Sequence, residues 1–281
     1  MIAAKDIMTD NYISIDLNET VSKLIGHMKK EEVTFALVFE GKKYKGLVDK
    51  RWFLTSRLNS TQMKINNILK KRSKSKTPFF VPKLNASTNL KEICRLMAAC
   101  NTRALPVLEK EKIKGVVTAG SVLKEIKNAY KGIKAKELAT TKLITAQEKE
   151  ELGKVIQKMH DYGLDRIPVV DKSNRLMGIT TINDIAKYYL RYPVKSQKIS
   201  SKGARTIHQD SDAGEKQNLL KTPIMNFTKP IRVCFTASLQ TPLIEIMNTM
   251  IDDNISSIIL EEKEIPTGII TIKDIFEDYA K

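Results

Sequence analysis

The chain has 281 residues, 42% hydrophobic and 28% charged, a composition that excludes a disordered chain and allows one large or two ordinary domains. No apolar run approaches the roughly 20 residues that span a bilayer, and the opening MIAAKDIMTD lacks the basic-then-apolar order of a signal peptide. Cys94, Cys100 and Cys234 form no CxxC pair, so they are expected as buried small residues in a reducing compartment, which places the protein in the cytoplasm.

The formal charge is +16 and unevenly placed. Residues 51–100 carry eleven Lys or Arg against the single acid Glu92, whereas residues 251–281 carry three Lys against eight acids. Such a polarity creates a directed field rather than a merely soluble surface.

Taken in chain order, the predicted elements repeat. Residues 5–56 offer the extended KDIMTDNYISIDL, the helical TVSKLIGHMKK, and two strands, FALVFE and KGLVD. Residues 79–126 give FFVPKLNAS, the helix LKEICRLMAAC, the strand TRALPVLE and the strand–helix KIKGVVTAGSVLKEI. In the third stretch TTKLITAQ is extended, and Leu152, Val155, Ile156 and Met159 recur at helical spacing before Gly163 stops the helix. The β-branched run Arg166–Val170 then leads to a turn on Asp171, Ser173 and Asn174, a second strand, and a helix capped by Asn183 and Asp184. Residues 229–280 repeat the order, with Leu243, Ile246, Met247 and Met250 on the helix and ISSIILEE and PTGIITIKDIFEDYA closing the unit. The order is strand, helix, strand, strand, helix, four times, with key glycines Gly46, Gly115, Gly178 and Gly268. Fragments this small seldom bury enough apolar surface alone, so the four are expected to form two pairs.

Two endings are nearly identical: GITTIND at Gly178–Asp184 and GIITIKD at Gly268–Asp274. A Thr ending a strand and an Asp opening the next helix lie close together and face one side. The Asp can accept hydrogen bonds from a vicinal diol beside the Thr hydroxyl, and the helix start favours a nearby phosphate. Helix capping alone explains the same residues, and both readings stand at this point.

With these endings, RIPVV at Arg166–Val170 and the opening KDIMTDNYISI, the chain resembles tandem CBS-domain proteins over nearly its whole length. The resemblance implies an α/β fold of four βαββα repeats in two Bateman modules packed as a disc. It sets repeat one at 1–60, repeat two at 61–130, repeat three at 131–190, a flexible basic insertion at 191–218 and repeat four at 219–281. It also implies that Thr181, Asp184, Thr271 and Asp274 hold the ribose of an adenosyl ligand, AMP, ADP, ATP or S-adenosylmethionine, with Arg166 near the phosphates. The two corners would then face one cleft between repeats three and four. Repeat two departs from the pattern with Thr118 followed by Ser121, and repeat one with Asp49 and Trp52, so the front pair is expected to lack this ligand. Glu261 and Glu262 would repel a triphosphate if they faced the site, which favours AMP or S-adenosylmethionine.

No HExxH, GxSxG or P-loop pattern occurs, and the residue pattern points to no enzyme. The expected activity is that of a non-catalytic sensor regulating another molecule, with a regulatory subunit like that of AMP-activated protein kinase as one form and a homodimer as one assembly. The alternative is a nucleic-acid or ribosome-associated factor. It would use Lys64, Lys70, Lys71, Arg72, Lys74 and Lys76 between repeats one and two, and Lys195, Lys198, Lys202 and Arg205 in the insertion.

Overall fold

The computed structural model describes residues 2–31, 33–49, 63–73, 81–182, 184–185, 219–231 and 234–281. The expected 191–218 insertion and the side chain of Trp52 lie outside the described residues. Among the described residues no helix is long and apolar enough to cross a membrane.

The repeat unit is explicit. Repeat one runs α1 (Ala4–Ile7), β1 (Ser14–Asp16), α2 (Val21–Lys30), β2 (Phe35–Glu40) and β3 (Lys43–Asp49). Repeat two opens with α3 (Ile65–Ser73) and continues through α4 (Leu90–Ala99), β4 (Ala104–Glu109), β5 (Lys112–Thr118) and α5 (Ala119–Ile126). Repeat three holds β6 (Ala146–Gln147), α6 (Leu152–Asp161), β7 (Arg166–Val170) and β8 (Leu176–Thr181). Repeat four holds β9 (Lys229–Pro230), β10 (Thr236–Ala237), α7 (Leu243–Asp252), β11 (Ser257–Glu262), β12 (Ile265–Thr271) and α8 (Ile272–Tyr279). In repeats one and three the short first strand pairs parallel to the second, as Ser14 with Leu37 and Ala146 with Val169. In repeat two the isolated bridge between Leu84 and Val107 takes that place. The second and third strands pair antiparallel, and the register slips beside the glycine in all three repeats, after Val38, Val107 and Val169. This shared bulge lets the last strand bend towards its helix.

The helices bury the positions their spacing selects: Leu152, Val155 and Met159 on α6, and Leu243, Ile246, Met247 and Met250 on α7. Ile156, on the same stripe, is only half-buried. Of the cysteines, Cys94 is buried, but Cys100 and Cys234 are half-buried rather than core residues as expected.

The chain forms two compact units, and their boundary does not follow the repeats. One comprises Met1–Thr141, Ala237–Leu260 and Ile269–Lys281; the other comprises Lys142–Thr236 and Glu261–Gly268. In the first unit α4 packs on α8 and α5 on α7, joining repeat two to repeat four. Met97, Leu123, Met247 and Phe276, each 1% exposed or less, share this core, and each such side chain contributes about 1.5–3 kcal/mol by leaving water. Tyr130, buried here, donates its hydroxyl to the Ile275 carbonyl at 3.1 Å. Repeat one has its own core in the same unit, where Leu24, Met28, Leu37 and Val48 meet Ile65 and Ile68 of α3.

The leading segment of each repeat crosses to its pair mate. The leader of repeat one bridges repeat two at Ala3–Asn89 and Thr9–Val116, and Lys64 in the leader of repeat two bridges Thr20 of repeat one. In the first unit Lys134 and Thr140, from the leader of repeat three, bridge Pro242 and Ile269 of repeat four. In the second unit β9, from the leader of repeat four, adds to β8 of repeat three, completing the sheet β6–β7–β8–β9. The recurring glycines Gly115 and Gly178 make room for these crossings. A Cβ at Gly178 would stand 1.9 Å from the Lys229 carbonyl oxygen, and one at Gly115 would stand 2.9 Å from that of Thr9.

Candidate functional site

Each Thr–Asp ending is a reciprocal cap. In repeat four the Thr271 N–H and hydroxyl both donate to Asp274 Oδ2, at 2.7 and 2.6 Å, and the Asp274 N–H donates back to Thr271 Oγ1 at 3.3 Å. Repeat three matches it: the Thr181 N–H and hydroxyl reach Asp184 Oδ2 at 3.1 and 2.5 Å, and the Asp184 N–H returns to Thr181 Oγ1 at 3.2 Å. Both pairs therefore satisfy helix-start donors that would otherwise lack partners. In each pair the cap engages Oδ2 and leaves Oδ1 out of it. Among the described residues Asp274 Oδ1 has no hydrogen-bonding or ionic partner, whereas Asp184 Oδ1 lies 3.4 Å from the Lys229 ammonium.

Arg166 begins β7 directly opposite Thr181. Residues opposite one another in an antiparallel pair project from the same face, so strand register brings Arg166 beside the Thr181–Asp184 corner. Lys229 stands opposite Ile179, two residues before Thr181, and so shares that face. Sequence reasoning missed Lys229, which is 45 positions from Asp184. The only hint lay at Gly178, whose missing side chain signals a close backbone approach without saying by which segment.

The two corners fall in different units, Thr181 and Asp184 in the second and Thr271 and Asp274 in the first. Repeat two keeps the cap without the charge. The Thr118 N–H donates to Ser121 Oγ and the Ser121 N–H to Thr118 Oγ1, each at 3.2 Å, while the Ser121 hydroxyl turns back to the Thr118 carbonyl at 2.9 Å. In repeat one Asp49 ends β3 and is 2% exposed.

The Glu261 carboxylate accepts the Glu264 N–H at 2.7 Å with one oxygen and so closes the β11–β12 turn. Burial pushes the Cys94 thiol up to about 12 and raises Cys100 and Cys234, so all three thiols stay protonated at neutral pH. Of the basic residues assigned to nucleic acid, Lys64 is exposed at the Thr20 bridge, and Lys70, Lys71 and Arg72 lie on α3. Lys74, Lys76, Lys195, Lys198, Lys202 and Arg205 lie outside the described residues.

The chain matches the CBS domain family over residues 4–51, 80–128, 135–191 and 227–281. It is 31% identical over 107 residues to a homoserine O-acetyltransferase of Methanosphaera stadtmanae, covering 38% of this chain and 21% of that protein. It is 28% identical over 147 residues to an L-aspartate semialdehyde sulfurtransferase of Methanocaldococcus jannaschii, covering 51% and 28%. The chain thus spans less than a third of the length of these curated relatives. Its fold is that of protein MJ1225 of Methanocaldococcus jannaschii, proposed as an archaeal homolog of g-AMPK, with TM-score 0.73 at 18% identity over 99% of this chain and 100% of that one. An uncharacterized conserved protein of Pyrococcus horikoshii is similar at TM-score 0.60 and 17% identity, over 99% and 100%. Four family matches, the repeated βαββα unit and the paired Thr–Asp endings converge: the chain belongs to the CBS domain family.

Proposed function

We propose that the protein is a non-catalytic sensor that binds adenosyl ligands, with the Thr181–Asp184 corner and the Thr271–Asp274 corner as separate sites, and regulates a partner molecule through the bound state. One observation carries this reading. Each cap is closed by a single carboxylate oxygen, and the second oxygen, Asp184 Oδ1 or Asp274 Oδ1, is surplus to capping. A ribose hydroxyl donating to Oδ1 adds a hydrogen bond at Asp274 and displaces the Lys229 contact at Asp184. Such a hydrogen bond is worth about 1.5–3 kcal/mol because the acceptor is charged. Ligand binding then biases whichever arrangement of the repeats it favours.

The test uses protein purified at low salt. Its 260/280 nm absorbance ratio is recorded, the protein is denatured, and released compounds are identified by mass. A small adenosyl compound in stoichiometric amount supports the sensor. Released polynucleotide that a high-salt wash removes instead supports a second reading, favoured by the net charge of +16: a structured-RNA or ribosome-associated factor binding through Lys64, Lys70, Lys71, Arg72, Lys74 and Lys76. Binding of that kind falls steeply with salt.

A further inference from the structure

Three crossing leaders lie at one register over three of the corners. Thr9 bridges Val116, Thr140 bridges Ile269 and Lys229 pairs with Ile179. Each of these partners stands five residues before the helix-start residue of its corner, Ser121, Asp274 and Asp184 respectively. The leader thus offers a neutral Thr to the corners of repeats two and four and a cation to that of repeat three. The Lys229 backbone is held firmly. Thr180 and Thr228 share a hydroxyl hydrogen bond of 2.8 Å, the Thr228 hydroxyl donates to the Ile224 carbonyl at 2.9 Å, and the Cys234 thiol donates to the Lys229 carbonyl at 3.4 Å. The side chain is the free part: it is 50% exposed, while its partner Asp184 is 10% exposed.

The residue opposite the last strand position differs in the same sense. Arg166 faces Thr181. In repeat four the Ile272 N–H donates to the Ser256 carbonyl just as the Ile182 N–H donates to that of Asp165. This equivalence sets Ser257 where repeat three has Arg166. Around Asp184 the leader and strand therefore supply two cations, Lys229 and Arg166, whereas the equivalent positions beside Asp274 are Thr140 and Ser257, with the Arg103 guanidinium of repeat two donating to the neighbouring Ser256 hydroxyl.

We infer that Lys229 is a specificity residue. In the free protein it holds Asp184 Oδ1 as a stand-in for a ligand hydroxyl, and on binding it moves from Asp184 to a ligand phosphate. The repeat-three corner accordingly takes a phosphorylated adenosine in preference to an uncharged one. The physical argument is one of exchange. A hydroxyl approaching Oδ1 must displace the Lys229 ion pair, and a ligand carrying its own anion gives the released ammonium a charged partner where an uncharged ligand leaves it only water. The inference rests on the proposed adenosyl-binding function.

The experiment is a calorimetric titration of protein carrying Asp274→Ser, so that the repeat-three corner alone is read, with AMP and with adenosine. Lys229→Thr reproduces the Thr140 arrangement, and Lys229→Met keeps the aliphatic stem without the charge. Both variants are expected to weaken AMP roughly tenfold, as loss of one charge-assisted hydrogen bond implies. Adenosine should bind as before or more tightly, and the preference for AMP should shrink with added salt in the parent only. Equal changes for the two ligands, or none, overturn the role of Lys229. Asp184→Ser tells the two levels apart. If it abolishes both ligands while Lys229→Thr does not separate them, the binding function stands and the specificity role falls. If both ligands still bind, the function falls and this inference with it.

Discussion

Repeats two and three end their second long strand with the same cap built from different chemistry. The Thr118 and Ser121 N–H groups each donate to the other residue's hydroxyl oxygen at 3.2 Å, and in repeat three the Asp184 N–H donates to Thr181 Oγ1 at the same 3.2 Å. One side-chain oxygen is enough to close the cap, as Ser121 demonstrates. The carboxylate of Asp184 therefore brings something the helix start does not require: a second oxygen and a negative charge. The pair also separates two roles that sequence alone confounds, since capping is common to both repeats and the outward oxygen is not.

The largest effect is expected where backbones cross. Gly178→Ala forces a Cβ to within 1.9 Å of the Lys229 carbonyl oxygen, backbone that cannot swing aside, and should destabilise the second unit by about 3 kcal/mol or more. Gly115→Ala meets the Thr9 carbonyl at 2.9 Å and should cost less, about 1–2 kcal/mol. Urea midpoints of the two variants check the order, and a Gly178→Ala protein as stable as the parent would break the crossing account. A smaller effect on folding should follow when repeat three is given the cap of repeat two. Asp184→Ser keeps a one-oxygen cap and should change stability by less than about 1 kcal/mol, while ligand affinity falls at least tenfold. The smallest effect sits in the turn after β7. Asp171 Oδ1 accepts the Ser173 and Arg175 N–H groups at 2.8 and 2.9 Å, and the Arg175 N–H, ahead of the guanidinium, holds this carboxyl below its ordinary value. Its contribution is present at neutral pH and is lost as pH falls through the lowered folded value. The stability gap between the parent and Asp171→Asn should therefore close in acid and stay constant from pH 6 to 8.

Much of the fold was legible because it is local. Helix stripes such as Leu243, Ile246, Met247 and Met250 follow from period, the turn at Asp171 from its side-chain chemistry, and the repeat from four recurrences of one order. The Thr–Asp endings were legible as a contact, and the structure resolves how the carboxylate divides between its two oxygens. The leader crossings were not legible, because they join residues such as Thr9 and Val116 or Ile179 and Lys229 whose proximity leaves no periodic trace. For the same reason the Lys229–Asp184 ion pair, and the packing of α4 against α8 between repeats two and four, could not be read from spacing. The Glu261 hydrogen bond to the Glu264 N–H was likewise not legible, because a charge in a sequence does not reveal which backbone group its carboxylate meets.

The central claim is that the surplus oxygens of Asp184 and Asp274 hold an adenosyl ligand. It is tested most directly by titrating AMP and S-adenosylmethionine into the parent and into the Asp184→Ser, Asp274→Ser double variant, with urea midpoints measured alongside. The account predicts that the parent binds at least one of them and that the double variant loses this binding with its folding midpoint nearly unchanged. Undiminished affinity in a folded double variant would contradict it and leave both carboxylates as helix caps.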